Sequence, residues 1–197
     1  MGSVSSPENV TYLPTTVTRT VKLLVSGHFG VGKTTFVASV SEIDPLRTEE
    51  PMTQESVGID DLQGLPEKTH TTVAMDFGRI TFSRTALYLF GTPGQNRFGY
   101  LWDELARGAH GALVLVDTRR LEQSDDVLAA IERRGLRYAV AVNQFDGSAR
   151  FPLEEVREAL DLDPATPLIS CDARNRTSSL HTLITLFEHL IRQPEHL

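Results

Sequence analysis

Eight consecutive residues, Gly27-His28-Phe29-Gly30-Val31-Gly32-Lys33-Thr34, satisfy the pattern G-x-x-x-x-G-K-[ST] after the apolar run VKLLVS. Glycines at these places let successive backbone N–H groups turn inward around a β-phosphate. The helix that follows adds its positive end, the lysine reaches β- and γ-phosphate oxygens, and a hydroxyl binds magnesium. Lys33 is therefore the candidate phosphate lysine, Thr34 the candidate metal ligand, and Thr35 extends the helix start. Because only the loop's backbone is needed, the ring of His28 is expected to turn away from phosphate, toward sheet or solvent. The motif does not name the base, so kinases, ATPases and GTPases all remain.

Two further stretches address the base. Val142-Asn143-Gln144-Phe145-Asp146 follows an apolar run with N-x-x-D. A carboxylate there accepts the ring and exocyclic N–H donors of guanine, a pair that adenine lacks, although the same four residues also make an ordinary turn. Ser170-Cys171-Asp172-Ala173-Arg174 ends a later apolar run, where a backbone N–H can meet the guanine O6. Asn143, Gln144, Asp146, Cys171, Asp172 and Ala173 thus join Gly27 to Thr35 as candidate nucleotide-binding residues. Between the two groups lie Thr71-Thr72-Val73-Ala74-Met75-Asp76-Phe77 and Gly91-Thr92-Pro93-Gly94-Gln95.

These residues need elements to hold them. Apolar runs of strand length (Val21 to Val25, Val73 to Phe77, Leu87 to Phe90, Ala112 to Val116, Tyr138 to Val142, Pro167 to Ser170) alternate with helical patterns. The helical patterns are Lys33 to Ile43, Asn96 to Gly108, Leu121 to Arg134, Leu153 to Leu160 and Ser178 to Arg192. Strands that are apolar throughout predict an α/β fold: a mostly parallel six-stranded sheet with helices on both faces, three layers in all. Residues 1–19 are polar and aperiodic and read as a flexible arm, with a single domain over 20–197. Residues 44–71 carry three prolines, and ordered domains seldom keep so long a loop without a function for it.

The 197 residues suit one domain. A net charge of −7 gives no broad basic surface, so nucleic acid is disfavoured and phosphate must be gripped locally. The single cysteine, Cys171, forms no internal disulfide and reads as a buried small residue rather than a nucleophile. No apolar run approaches the ~20 residues of a membrane span, so a cytoplasmic protein without direct membrane insertion is expected. Met1-Gly2-Ser3-Val4-Ser5-Ser6 fits the loose N-myristoylation pattern and equally a cloning remnant.

From Thr20 to Arg192 the chain resembles the Ras-like small GTPases, and the phrases TTVAMDFGRI, LYLFGTPGQ, LWDELARGA and LVDTRR resemble those of bacterial GTPases from actinobacterial conservon operons, relatives of the MglA group. The resemblance implies the P-loop small G-protein fold, GTP or GDP as ligand and Mg2+ as cofactor. It further implies a partnership with a roadblock-domain protein and a sensor-kinase-like membrane protein, which would supply any membrane recruitment. It implies Thr72, ending an extended switch I at 44–72, as a second magnesium ligand. Gln95 is then the residue that orients the attacking water, and Gly94 a backbone donor to the γ-phosphate.

Several positions depart from the Ras-like pattern. Gly91 stands where relatives carry the switch II aspartate that holds magnesium through water, so a weaker ion is expected. Phe29 occupies the space an arginine finger from a partner must cross. Gln144 replaces the lysine that lies over the guanine ring, and Thr71 stands where the MglA group has an arginine acting in cis. Arg97 and Arg79 are candidate substitutes, with surface ion pairing as the plainer role for each. Trp102, with Phe98, Tyr100, Leu101 and Leu105, marks either a stripe packed on the sheet or a partner surface. Three readings stand: a slow GTPase switch, a nucleotide-binding scaffold without useful turnover, and a P-loop ATPase or small-molecule kinase with 44–71 as its lid.

Overall fold

The computed structural model describes residues 13–51, 70–93 and 99–192, with side chains outside 47–51, 70–74 and 99–101. The strands are β1 (Arg19–Ser26), β2 (Leu46–Pro51), β3 (His70–Phe82), β4 (Thr85–Gly91), β5 (Gly111–Val116), β6 (Tyr138–Asn143) and β7 (Leu168–Cys171). The helices are α1 (Lys33–Val40), α2 (Gly99–Ala106), α3 (Asp125–Glu132), α4 (Leu153–Ala159) and α5 (Arg176–Arg192). Among the described residues the strands form one sheet in the order β2-β3-β4-β1-β5-β6-β7. The β1–β4, β1–β5, β5–β6 and β6–β7 pairs are parallel, while β2–β3 and β3–β4 are antiparallel.

The continuous apolar runs of β1, β5 and β6 follow from burial on both faces. Leu23, Val25, Leu113, Leu115, Ala139 and Ala141 face α1 and α5, meeting Phe36, Val37, Val40, Leu183 and Leu186. Leu24, Ala112, Val114, Val116, Val140 and Val142 face α2, α3 and α4, meeting Trp102, Leu105, Leu128, Ile131 and Val156. Trp102 and Leu105 therefore form the sheet-packed stripe. Tyr100, Leu101 and Phe98 fall on residues whose side chains are not described.

The six expected strands are present, and a seventh, β2, pairs on the edge with β3, which begins at His70 rather than Val73. The polar stretch 44–71 is thus strand at both ends, and residues 52–69 between them lie outside those described. Among its residues Thr48 favours strand, and a sheet edge requires no apolar alternation. Of the arm, residues 1–12 also lie outside. Its last part is tied down, since the N–H groups of Thr18 and Arg19 both donate to Arg84 O.

Helix α1 stops at Val40 instead of Ile43. The Ser41 hydroxyl accepts from the Ile43 and Arg79 N–H groups and donates to Ile43 O, giving the backbone an alternative to the next helical turn. The expected Leu121–Arg134 helix divides into a 3-10 turn, Leu121–Ser124, and α3. Helix α5 starts at Arg176, where Asn175 Oδ1 accepts the Ser178 N–H as an N-cap.

Candidate nucleotide-binding site

The parallel strands bring the ends of β1, β5, β6 and β7 to one edge of the sheet, the edge where ligands bind in open α/β folds. The loop after β1 leads directly into α1, so the unpaired N–H groups of the first helical turn face that edge. Gly32 is required there. Its φ is +104°, and a Cβ would lie 2.6 Å from Asn143 Nδ2. Lys33 Nζ, buried, curls over the loop and donates to Gly27 O and His28 O, both at 2.8 Å. Thr35 is exposed and Phe29 half-buried.

His28, within this loop, is 4% exposed, with Nδ1 2.8 Å from Phe29 O. Burial pushes its pKa down to about 4, outweighing the Phe29 carbonyl, and the charges of Arg120 and Lys33 lower it further. The ring is neutral at pH 7, so Nδ1 donates to the carbonyl. The ring is packed in the protein interior. The buried Asp117 carboxylate behind β5 accepts a bidentate fork from Arg119, at 2.9 Å from Nε and 2.7 Å from Nη2. Burial opposes ionisation of Asp117, but these bonds prevail and hold its carboxyl below the usual range. Arg119 in turn covers the ring of Phe145, 3.9 Å from its centroid.

Thr34, the candidate metal ligand, has a carboxylate partner. Thr34 Oγ1 donates to Asp76 Oδ2 at 2.7 Å, and Asp76 is 2% exposed. Asp76 on β3 pairs directly with Gly91 on β4, and a Cβ built on Gly91 would lie 2.9 Å from Asp76 Oδ2. The Asp76 carboxylate thus occupies the space that a side chain at position 91 of β4 would fill. Adjacent Phe77 and Phe90, also directly paired, have ring centroids 5.1 Å apart, a cross-strand contact that pins this register. Thr34 and Asp76 make an all-oxygen pair of the kind Mg2+ takes. Among the described residues no group of three or more His, Cys, Asp or Glu could hold a metal, so such an ion needs phosphate oxygens as well.

The side chain of Thr72 lies outside those described. Its backbone lies in β3 opposite Glu49, four residues before Asp76, or about 13 Å along an extended strand. Gly94 and Gln95 lie outside the described residues, as does Arg97. Arg79 is excluded as a cis-acting arginine: its Nε donates to Glu42 Oε1 at 2.9 Å, beyond the far end of α1 and about 12 Å from Lys33 by the helix rise. Its plainer role, an ion pair, is the observed one.

At the base end Asn143 is a brace. Its Nδ2 donates to Val31 O at 2.8 Å and its Oδ1 accepts from Ala173 N at 3.0 Å, joining the phosphate loop to the loop after β7. Both the Asn143 amide and the Ala173 N–H expected at the base thus bond to each other. Gln144 Nε2 donates to the Ser170 hydroxyl. Cys171 is buried, its thiol pKa raised by that burial, and its carbonyl accepts from Gln144 N at 2.7 Å. Asp146 is exposed, and Arg174 grips both its oxygens, Nη1 to Oδ2 at 2.6 Å and Nη2 to Oδ1 at 3.0 Å. The same guanidinium bonds Asp172 through Nε and Nη2. Arg174 holds both carboxyls below their usual pKa.

Asp76 and Arg174 escaped the sequence reading as site residues. The signal for Asp76 was a register count: from the tight turn Ser83–Arg84, pairing Phe82 with Thr85, six steps back place Asp76 opposite Gly91. An acidic residue across from a glycine at the end of an apolar strand is a visible pattern.

Fold and loop together define a P-loop α/β domain. It shares its fold with the cytosolic domain of the T. maritima FeoB iron transporter (TM-score 0.63, 15% identity, 91% of this chain and 67% of that one). A similar likeness holds to the FeoB G-domain from Methanococcus jannaschii (0.58, 12%, 89% and 100%). Translation elongation factor SelB from Methanococcus maripaludis matches at 0.62 and 14% identity, over 92% of this chain but 36% of that one. The chain belongs to the family described as conserved hypothetical ATP binding proteins, whose model matches residues 25–193. It is also 27% identical to the uncharacterized protein MJ1339 of Methanocaldococcus jannaschii, over 64% of this chain and 71% of that protein.

Proposed function

We propose that the chain is a guanine-nucleotide-binding switch with slow intrinsic GTP hydrolysis. The observation that carries the reading is the Thr34–Asp76 bond beneath Gly91, which returns to the site the carboxylate that its β4 strand lacks. The scaffold reading leaned on that missing carboxylate and on Phe29, and it keeps only the second. For the base, Asp146 accepts a planar two-donor fork from Arg174, the donor pattern guanine offers and adenine does not.

In this mechanism the N–H groups of Gly27 to Thr35 cradle the phosphates, and Lys33 leaves its own loop's carbonyls to bridge β- and γ-phosphate oxygens. Thr34 and Asp76 would hold Mg2+, which when bound neutralises charge on those oxygens. Gln95 orients the attacking water and Gly94 donates to the γ-phosphate. Thr72, a second magnesium ligand by the resemblance, would complete the site from β3, with the β2–β3 edge as the part that moves. Transition-state charge then falls to Lys33 and backbone N–H groups, with no arginine assigned, which fits a slow rate. Signalling beside a roadblock-domain protein and a sensor-kinase-like membrane protein is supported by the four phrases of sequence resemblance.

Competition of GTP, GDP, ATP and ADP against labelled GDP, followed by single-turnover hydrolysis across a magnesium titration, tests the reading. Guanine preference with magnesium-dependent phosphate release that collapses in Gln95→Ala is expected. Adenine preference would instead favour the ATP binding that the family's description names.

A further inference from the structure

We propose that Arg174 tunes guanine affinity by competing with the base for Asp146, with Asp172 as its alternative partner. This rests on the guanine reading above. A guanidinium and the N1–H/N2–H edge of guanine present the same thing to a carboxylate, two parallel N–H donors in one plane. Arg174 makes that bidentate contact with Asp146 at 2.6 and 3.0 Å, so the base and the side chain require the same two oxygens.

The contact is built to be exchanged. Arg174 Nε bonds Asp172 Oδ1 at 3.0 Å and Nη2 bonds Asp172 Oδ2 at 3.1 Å, while the Arg174 backbone N–H also meets Asp172 Oδ1. A guanidinium displaced from Asp146 thus keeps a carboxylate and needs no new partner. Asp146 is 87% exposed on its side chain, which keeps the pair weak enough for a base to break. Arg174 also follows Ala173, the residue braced by Asn143 to the phosphate loop, so the competitor stands on a fixed base beside the site. A ligand that makes no use of Asp146 meets no competition, and the arginine therefore narrows the guanine-over-adenine margin.

The test is binding of fluorescent GDP and ADP to the full chain, as affinity and association rate, in Arg174→Ala, Asp172→Asn and the double variant. Arg174→Ala should tighten GDP about two- to fivefold, the span of an exposed ion pair, leave ADP unchanged, and lose its advantage at high salt, where the pair is screened. Asp172→Asn should weaken GDP, because Arg174 then has only Asp146, and the double variant should match Arg174→Ala. In an Asp146→Asn background, Arg174→Ala should not alter binding of xanthosine diphosphate. Weaker or unchanged GDP binding in Arg174→Ala overturns the competition. Equal GDP and ADP binding by the parent and by Arg174→Ala overturns the guanine reading, and the competition with it.

Discussion

Moving the carboxylate between strands gives the sharpest test of the metal site. Asp76 is 2% exposed and accepts a charge-assisted bond from Thr34 at 2.7 Å, a contact worth about 1.5–3 kcal/mol and partly offset by the cost of burying the charge. Asp76→Ala should therefore change fold stability by only about 1 kcal/mol. Its effect on magnesium should be larger, about 10- to 100-fold in affinity or some 1.4–2.8 kcal/mol, the range for groups that orient metal ligands.

Gly91→Asp alone should fail for a different reason. Its Cβ would sit 2.9 Å from Asp76 Oδ2, so overpacking of about 1–3 kcal/mol adds to repulsion between two buried carboxylates. A loss near 3 kcal/mol corresponds to a melting temperature lower by about 6–12 °C for a domain of this size. The double variant Asp76→Gly/Gly91→Asp restores one carboxylate in the same space from the other strand. It should recover the parent's melting temperature and bring the magnesium midpoint to within about threefold of the parent. The assay is magnesium titration of GDP dissociation, with thermal melts alongside. A magnesium midpoint in Asp76→Ala within twofold of the parent would refute the assignment, as would a double variant no better than Gly91→Asp.

Other expectations follow from the same geometry. His28 has a native pKa of about 4 against 6.5 when unfolded, so the unfolded chain binds more protons between those values. Its contribution to stability is full above pH 6.5, is lost as pH falls toward 4, and is of the order of 3 kcal/mol. A denaturant series from pH 7.5 to 4.5 should show that slope flatten in His28→Gln. Asn143→Ala strips partners from Val31 O and Ala173 N at once and should destabilise by about 2–4 kcal/mol in urea melts. Arg79→Ala should leave single-turnover hydrolysis unchanged, since its guanidinium is held by Glu42, and a tenfold slower rate would restore it as the missing arginine.

Much of this site was legible because its parts are local. The phosphate loop needs glycines at fixed offsets before a helix, and the apolar runs of β1, β5 and β6 announce strands buried on two faces. What the sequence hid was non-local. Asp76 acquires its place opposite Gly91 only through the β3–β4 register. Asn143 sits where a base contact was expected, yet its two amide ends are fixed by loops from β1 and β7. The polar stretch 46–51 carries no apolar period because an edge strand needs none, and so its pairing with β3 had no signal in composition.

The proposed phosphate and base ends of the site are connected by two sets of contacts through the protein. Asn143 ties Val31 in the phosphate loop to Ala173, so displacement of one loop strains the other. Behind the sheet edge, Asp117 influences His28 within the phosphate loop and fixes Arg119, which lies on Phe145, the residue before Asp146. If these ties carry coupling free energy, filling the phosphate end should change affinity at the base end, and reciprocally. Guanosine binding, measured with and without inorganic pyrophosphate, reads that coupling directly. Arg119→Ala should reduce it while leaving the Asn143 route in place, and additive binding in the parent chain would mean that the two ends of the site act independently.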